Sequence, residues 1–457
     1  MINKLLARAT ALNPFRPRAR RISLPRGPQF TRPELVRGAW PFVLALSFSM
    51  LPFGTAAAGA QDGSALRQFV LGLLFLAGVF TIARFPGRWL QIQQAVPLSL
   101  FALVLYVLIS ALWSPEPGIS FRRGAQVAGV VVLALAVVIG GMGQHRLHRL
   151  LAWPAIFSVA LAISVTAAFP DFAFTEIGLR GFTTHKNTFG QFCVLVFLVS
   201  LAWILVERRY VASWCLLLVL ALIGLVLSKS ITAVLGLVGL FAASSWIVFR
   251  RLIYSSWVPL LLLVSMAVLA GTFAAGVFFG FPTFQEFFGA VLEPTGRDMT
   301  LTGRTYLWEL MFAEAMRNPW FGLGYGSFWL GLEGRSGQIA MLVGWGYPGS
   351  AHNGFLDIFN ELGLVGLALV LTVLVQHARN IWLLSSIDRS TAFMHAAVLV
   401  FVVTINFAEA VLVRTTQAWW MIVVLSIIDV AWRTAPLKAK GSGNSFGSRA
   451  ADPSAAW

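Results

Sequence analysis

The chain has 457 residues, 58% of them hydrophobic and only 11% charged, with a net charge of +16. A soluble domain carries about 25% charge, so this chain cannot clothe itself in polar surface. Lipid must cover it, which excludes a soluble globular fold and makes it an all-α polytopic membrane protein.

Residues 1–37 hold nine basic side chains against Glu34 alone. Beside membrane spans, such a tail holds the cytoplasmic side against anionic lipid. Nothing in the chain resembles a nucleic-acid module, so no nucleic-acid partner is expected. The basic region is too long for a cleaved secretory signal, and the Ala-rich stretch at 55–60 follows only after a full span, so the N-terminus is expected to stay as an anchor. Cys193 and Cys215 lie inside apolar runs and form neither a disulfide framework nor a metal motif.

A span needs about 20 apolar residues. Twelve segments qualify: 38–58, 66–84, 95–113, 124–142, 149–168, 188–206, 211–228, 231–249, 256–279, 354–376, 391–412 and 415–432. An even number puts both tails, 1–37 and 433–457, in the cytoplasm, the second as a disordered Gly/Ser/Ala-rich end. The inner loops then carry Arg84 and Arg88, Arg146 and Arg149, Arg208 and Arg209, Arg250 and Arg251, and Arg379 and Arg389, as the positive-inside rule asks. Spans one to nine fill 38–279 and the last three fill 354–432. One large loop, 280–353, falls between the ninth and tenth spans on the outer, periplasmic side.

Several outer charges run against that rule. Arg67 and one of Arg122 and Arg123 are explained by snorkelling to the interface. The mouth of the sixth span is different, because it gathers Arg180, His185, Lys186 and Asn187. Charges at span ends that point into a bundle mark substrate paths. In the large loop, 304–317 reads as a helix capped by Thr302 and stopped by Asn318-Pro319. A Gly- and aromatic-rich run, 320–329, follows it. Its Gly322, Gly324 and Gly326 follow no strand, so a nucleotide fingerprint is excluded. The cluster Ala351-His352-Asn353-Gly354-Phe355-Leu356-Asp357 leads into the tenth span.

Together these residues resemble the O-antigen ligase and polymerase superfamily over roughly 180–365. The elements that carry the likeness are Thr302-Gly303-Arg304, the glycine run, the His352 cluster, and His185-Lys186-Asn187 with Gly190. The wording around His185 and Arg304 is nearest to the exopolysaccharide polymerase branch. The ligase branch carries Arg-x-x-x-Leu and a His followed by ten residues and a Gly. His352 and Gly363 match the second element, whereas Trp308 replaces the Leu after Arg304, which favours the polymerase side. The resemblance implies a GT-C-like, metal-independent, inverting glycosyltransferase of the bacterial inner membrane with no cofactor. Its donor is a glycan on undecaprenyl diphosphate and its acceptor another glycan or, for a ligase, lipid A core.

Such a reaction needs cations at the leaving diphosphate and a proton acceptor for the attacking hydroxyl. Arg304 and Arg180 are the expected cations and His352 the expected base. Lys186, His185, Asn187, Arg414, Asn353, Asp357 and Glu361 are expected around the substrate, the two carboxylates orienting a histidine or pairing with an arginine. Interfacial anchoring is the competing role for each of these polar groups. The absence of an outer Asp-x-Asp pair or His/Cys cluster argues against a metal. A lipid-linked oligosaccharide transporter is the rival from another class, disfavoured because no repeat relates 38–249 to 256–432.

Overall fold

The computed structural model describes residues 32–51, 65–86, 95–140, 146–249, 304–332, 334–344, 346–415 and 417–443. The expected span at 256–279, the Thr302 cap, most of the basic tail and the end of the C-terminal tail lie outside them.

The described chain is almost wholly helical. Its elements are α1 (Arg32–Ser49), α2 (Ala65–Ala83), α3 (Leu98–Ile109), α4 (Pro117–Ile139), α5 (Leu147–Ala168), α6 (Lys186–Ala202), α7 (Val211–Ser228), α8 (Ile231–Phe249), α9 (Arg304–Ala315), α10 (Gly334–Val343), α11 (Gly354–Ser385), α12 (Arg389–Asn406) and α13 (Ala418–Gly443). A two-stranded hairpin, β1 (Phe174–Thr175) with β2 (Gly178–Leu179), lies between α5 and α6. Seven described helices are long and apolar enough to cross a membrane, and four shorter apolar helices accompany them. These eleven correspond in order to the expected spans other than 256–279.

Burial ranks the helices. In α13, 83% of the span window is buried, against 22% in α7. So α13 is a central helix, anchored by the fully buried Trp419 and Trp420, while α7 shows lipid most of its surface. The interhelical ends gather on two faces. On one, Arg149 Nε donates to Glu207 at 2.8 Å, and Arg146 lies 4.0 Å from Asp388. On the other, Ser230 Oγ donates to Asn187 at 3.0 Å and Arg304 reaches Glu409 at 3.2 Å. The first face holds loops expected inside and the second holds loops expected outside.

Three expected boundaries are corrected. α4 starts at Pro117, not 124, because proline suits a first helical turn; Arg122 and Arg123 are therefore helical. Arg123 donates to the Gly326 carbonyl rather than only snorkelling. The span expected at 391–412 stops at Asn406, whose side-chain oxygen accepts from Val411 and Leu412 at 3.1 and 2.9 Å and folds 407–414 into a loop. The helix expected over 304–317 closes at Ala315, and α10 is a further helix that the sequence pattern did not announce.

The glycine run has a backbone role. Within α11, Gly363 adopts φ 67° and ψ −168°, which breaks the helix ladder. Leu364 and Val365 donate instead to the Pro319 and Trp320 carbonyls at 2.8 and 3.2 Å. The released Asn360 and Glu361 carbonyls accept from Leu323 and Gly324 at 3.0 and 2.8 Å, and Leu362 accepts from the Tyr106 hydroxyl at 3.0 Å. Each such buried group left unpaired would cost about 1–3 kcal/mol. Residues 319–324 thus splice into the kink, which anchors the segment between α9 and α10 to the bundle.

Candidate active site

The N-terminal ends of α6, α9 and α11 and the 407–414 loop converge on one carboxylate, Glu409. Arg304, the first residue of α9, donates from Nη2 to Glu409 Oε1 at 3.2 Å and from Nη1 to the Ala408 carbonyl at 2.7 Å. Asn187 Nδ2 donates to the same Oε1 at 2.6 Å, while its Oδ1 accepts from Ser230. His352 Nδ1 lies 3.3 Å from Oε2. Side-chain exposures of 14–17% for Glu409, Arg304 and His352 leave the cluster mostly buried but open at one edge. Burial alone would raise the Glu409 carboxyl; the His352 hydrogen bond and charge, Arg304 and Asn187 outweigh it and hold the group down at about 2.

His185 caps α6, its Nδ1 accepting from the Asn187 N–H at 3.2 Å. Burial pushes its imidazole below the usual histidine range, opposed by Glu409 and reinforced by His352, Arg304 and Lys186. His352 itself sits in the left-handed region at φ 47°. Strained residues of this kind gather at functional sites.

A second cluster stands beside the first. Arg414 Nη2 bridges Asp357 at 3.2 Å and Glu361 at 3.3 Å, and both carboxylates are nearly sealed, at 2% and 3% exposure. Glu361 also accepts from the Gly326 N–H at 3.0 Å. Asp357 Oδ1 accepts from Trp329 Nε1 at 2.8 Å and from the Ala351 N–H at 3.0 Å. Burial lowers the proton affinity of Arg414, but Glu361 and Asp357 more than reverse that and raise it.

The structure therefore brings His352, Arg304, Asn187 and His185 together. It joins Asp357, Glu361 and Arg414 to one another instead. Asn353 caps α11, accepting from Phe355 and Leu356 at 3.1 and 3.2 Å, so its carbonyl oxygen is committed to the fold. Arg180 donates to the Phe172 carbonyl at 2.6 Å and lies over the Phe172 ring, 4.1 Å from its centroid. Lys186 donates to the Ile177 carbonyl at 2.9 Å. Arg180 thus holds the segment that leads into the hairpin, and Lys186 holds the hairpin turn. Below that hairpin a cavity of about 390 Å³ opens between α5, α6 and α7, lined by Phe174, Leu179, Phe189, Phe192, Cys193 and Leu227 among others. Among the described residues, no group of three His, Cys, Asp or Glu is placed to hold a metal.

Glu409 is the residue that sequence reasoning missed. Assigning 391–412 to one span hid it, although a lone carboxylate in an apolar run was itself a signal of function.

Known proteins bear on this site. Residues 216–371 match the family model for O-antigen ligase. The chain is also 28% identical over 345 residues to the exopolysaccharide production protein ExoQ of Rhizobium meliloti (strain 1021), covering 68% of this chain and 73% of that protein.

Proposed function

We propose that this chain, similar on both comparisons to the O-antigen ligase and polymerase superfamily and on one to its exopolysaccharide side, is a membrane glycosyltransferase. It joins glycan repeat units carried on a polyprenyl diphosphate, at the periplasmic face of the bacterial inner membrane. The observation that carries this reading is the convergence of Arg304, His352 and Asn187 on Glu409 in a site open at one edge.

Each group then has a task. Glu409 accepts the Nδ1–H of His352, which leaves Nε2 as the basic nitrogen. That nitrogen takes the proton as a sugar hydroxyl attacks the anomeric carbon of the donor. The carbon–oxygen bond to the diphosphate breaks on the opposite side, with inversion. Negative charge grows on the leaving diphosphate, and Arg304 meets it with guanidinium donors beyond the two held by Glu409 and Ala408. Arg180 follows Leu179 and Lys186 lies three residues before Phe189, and both of those apolar residues line the cavity, a fitting arrangement for a lipid whose diphosphate sits beside the cations and whose chain sits between helices.

The test uses the purified protein in vesicles with a lipid-linked repeat unit. Arg304→Ala and His352→Ala are expected to leave single units unjoined, and Glu409→Gln to join them at a much reduced but measurable rate. Long polymer from all three at normal protein level overturns the reading. The family description favours one alternative, transfer of finished glycan to lipid A core; product on that acceptor, with no polymer, would identify it.

A further inference from the structure

α9 sends two polar side chains to the site from positions one turn apart. Arg304 reaches Glu409, and Trp308, four residues on, donates its indole N–H to the Ala351 carbonyl at 2.8 Å. Residues at i and i+4 share a helix face, so one rigid turn sets both contacts. Trp308 is 4% exposed and Ala351 is fully buried, which makes the bond a dry one.

The bond falls on a sensitive peptide. The Ala351 carbonyl belongs to the peptide unit that enters His352. The N–H of the same unit faces Ser350 Oγ at 3.3 Å. Immediately beyond it, His352 turns through φ 47°, a conformation that costs a non-glycine residue roughly 1–3 kcal/mol and persists only when its surroundings over-determine it. If that peptide plane rotates, His352 relaxes to a negative φ and its imidazole swings off Glu409. Packing alone would ask only for a ring at 308. The indole N–H does something more, because it grips the plane from which the strained residue departs.

We infer that Trp308 is a positioning residue: its indole N–H orients the Ala351–His352 peptide so that His352 meets Glu409, and it fixes the spacing between that base and Arg304. The inference rests on the glycosyltransferase reading above.

Trp308→Phe keeps a buried ring and removes the N–H. The expected result in vesicles is a fall of about tenfold or more in kcat with KM for the lipid-linked donor little changed. Because Trp308 acts through the His352–Glu409 contact, the loss should largely vanish when the change is made in a Glu409→Gln background. Wild-type kcat in Trp308→Phe overturns the inference. So does an undiminished loss in the Glu409→Gln background, and so does a loss accounted for by less folded protein in a thermal melt. A folded wild-type protein that joins no repeat units overturns the parent reading and this inference with it, whereas an active wild type with an indifferent Trp308→Phe sinks only the inference.

Discussion

Two clusters of charge share the 407–414 loop, and they are built on opposite ratios. Around Glu409, one carboxylate faces a guanidinium, an imidazole and a buried amide, with part of the carboxylate, guanidinium and imidazole side chains reachable from outside. Around Arg414, one guanidinium faces two carboxylates that are almost sealed. A surplus of donors around one acceptor leaves N–H groups to offer an incoming anion. A surplus of acceptors around one cation ties that cation to the protein, and the closure of both carboxylates to water makes the pairing structural. The same residue types, a few positions apart, thus divide into a site and a brace. The brace also serves the site, since Asp357 fixes the Ala351 N–H beside His352.

The comparison breaks most visibly in the brace. Arg414→Ala would leave Asp357 and Glu361 buried without their cation, a loss of about 3–5 kcal/mol. Thermal unfolding and yield should show a large drop, with Glu361 released from Gly326 and the glycine run loosened. A normal melt would mean that the two carboxylates do not depend on Arg414.

Arg304→Ala should reverse the pattern. It leaves one part-exposed carboxylate that keeps its other donors, rather than two sealed ones, so folding is expected to change little, while polymer formation falls by about 10²–10³, the scale for one lost transition-state donor. Unfolding of this variant to the same extent as Arg414→Ala would erase the distinction between site and brace. Asn187→Ala should fall lower on the same scale. It removes one of several donors to Glu409, worth about 1.5–3 kcal/mol to a charged group, and kcat is expected to drop about tenfold with the other contacts intact.

Why the sequence showed some of this and not the rest follows from what each residue senses. Apolar length announces apolar helices, so eleven of them, seven long enough to cross a membrane, were visible from hydropathy alone. Arg304, at the start of a helix in the large loop, and His352, at the mouth of a span, stood out because their surroundings resemble a known family. Glu409 did not, because hydropathy averaged it into α12; only the Asn406 side chain, by taking the Val411 and Leu412 N–H groups, ends that helix and turns the loop. Nor could composition separate Asp357 from Glu409. Their difference is one of partners, which come from segments tens to hundreds of residues away. The glycine run could be excluded as a nucleotide fingerprint but not given a partner, since that partner is the backbone of α11 and carries no side-chain signature.

The smallest expected effect concerns His185, at the edge of the open cluster. Burial disfavours its imidazolium in the fold, and the neighbouring cations add to that against Glu409. The unfolded chain, free of both, takes up its proton near the ordinary histidine value of about 6.5. Below that pH the unfolded state binds more protons than the native state, so stability falls as pH drops, and above it this contribution is fully present. His185→Gln cannot titrate, and its side-chain oxygen can still accept from the Asn187 N–H. The unfolding midpoint of the wild type is therefore expected to fall more steeply than that of His185→Gln as pH is lowered from 7 to 5. Parallel curves would show that the imidazole is already charged in the fold and that the Glu409 carboxylate, not burial, governs it. That outcome would give the site one more cation than its geometry assigns and would move the donor surplus from Arg304 toward the mouth of α6.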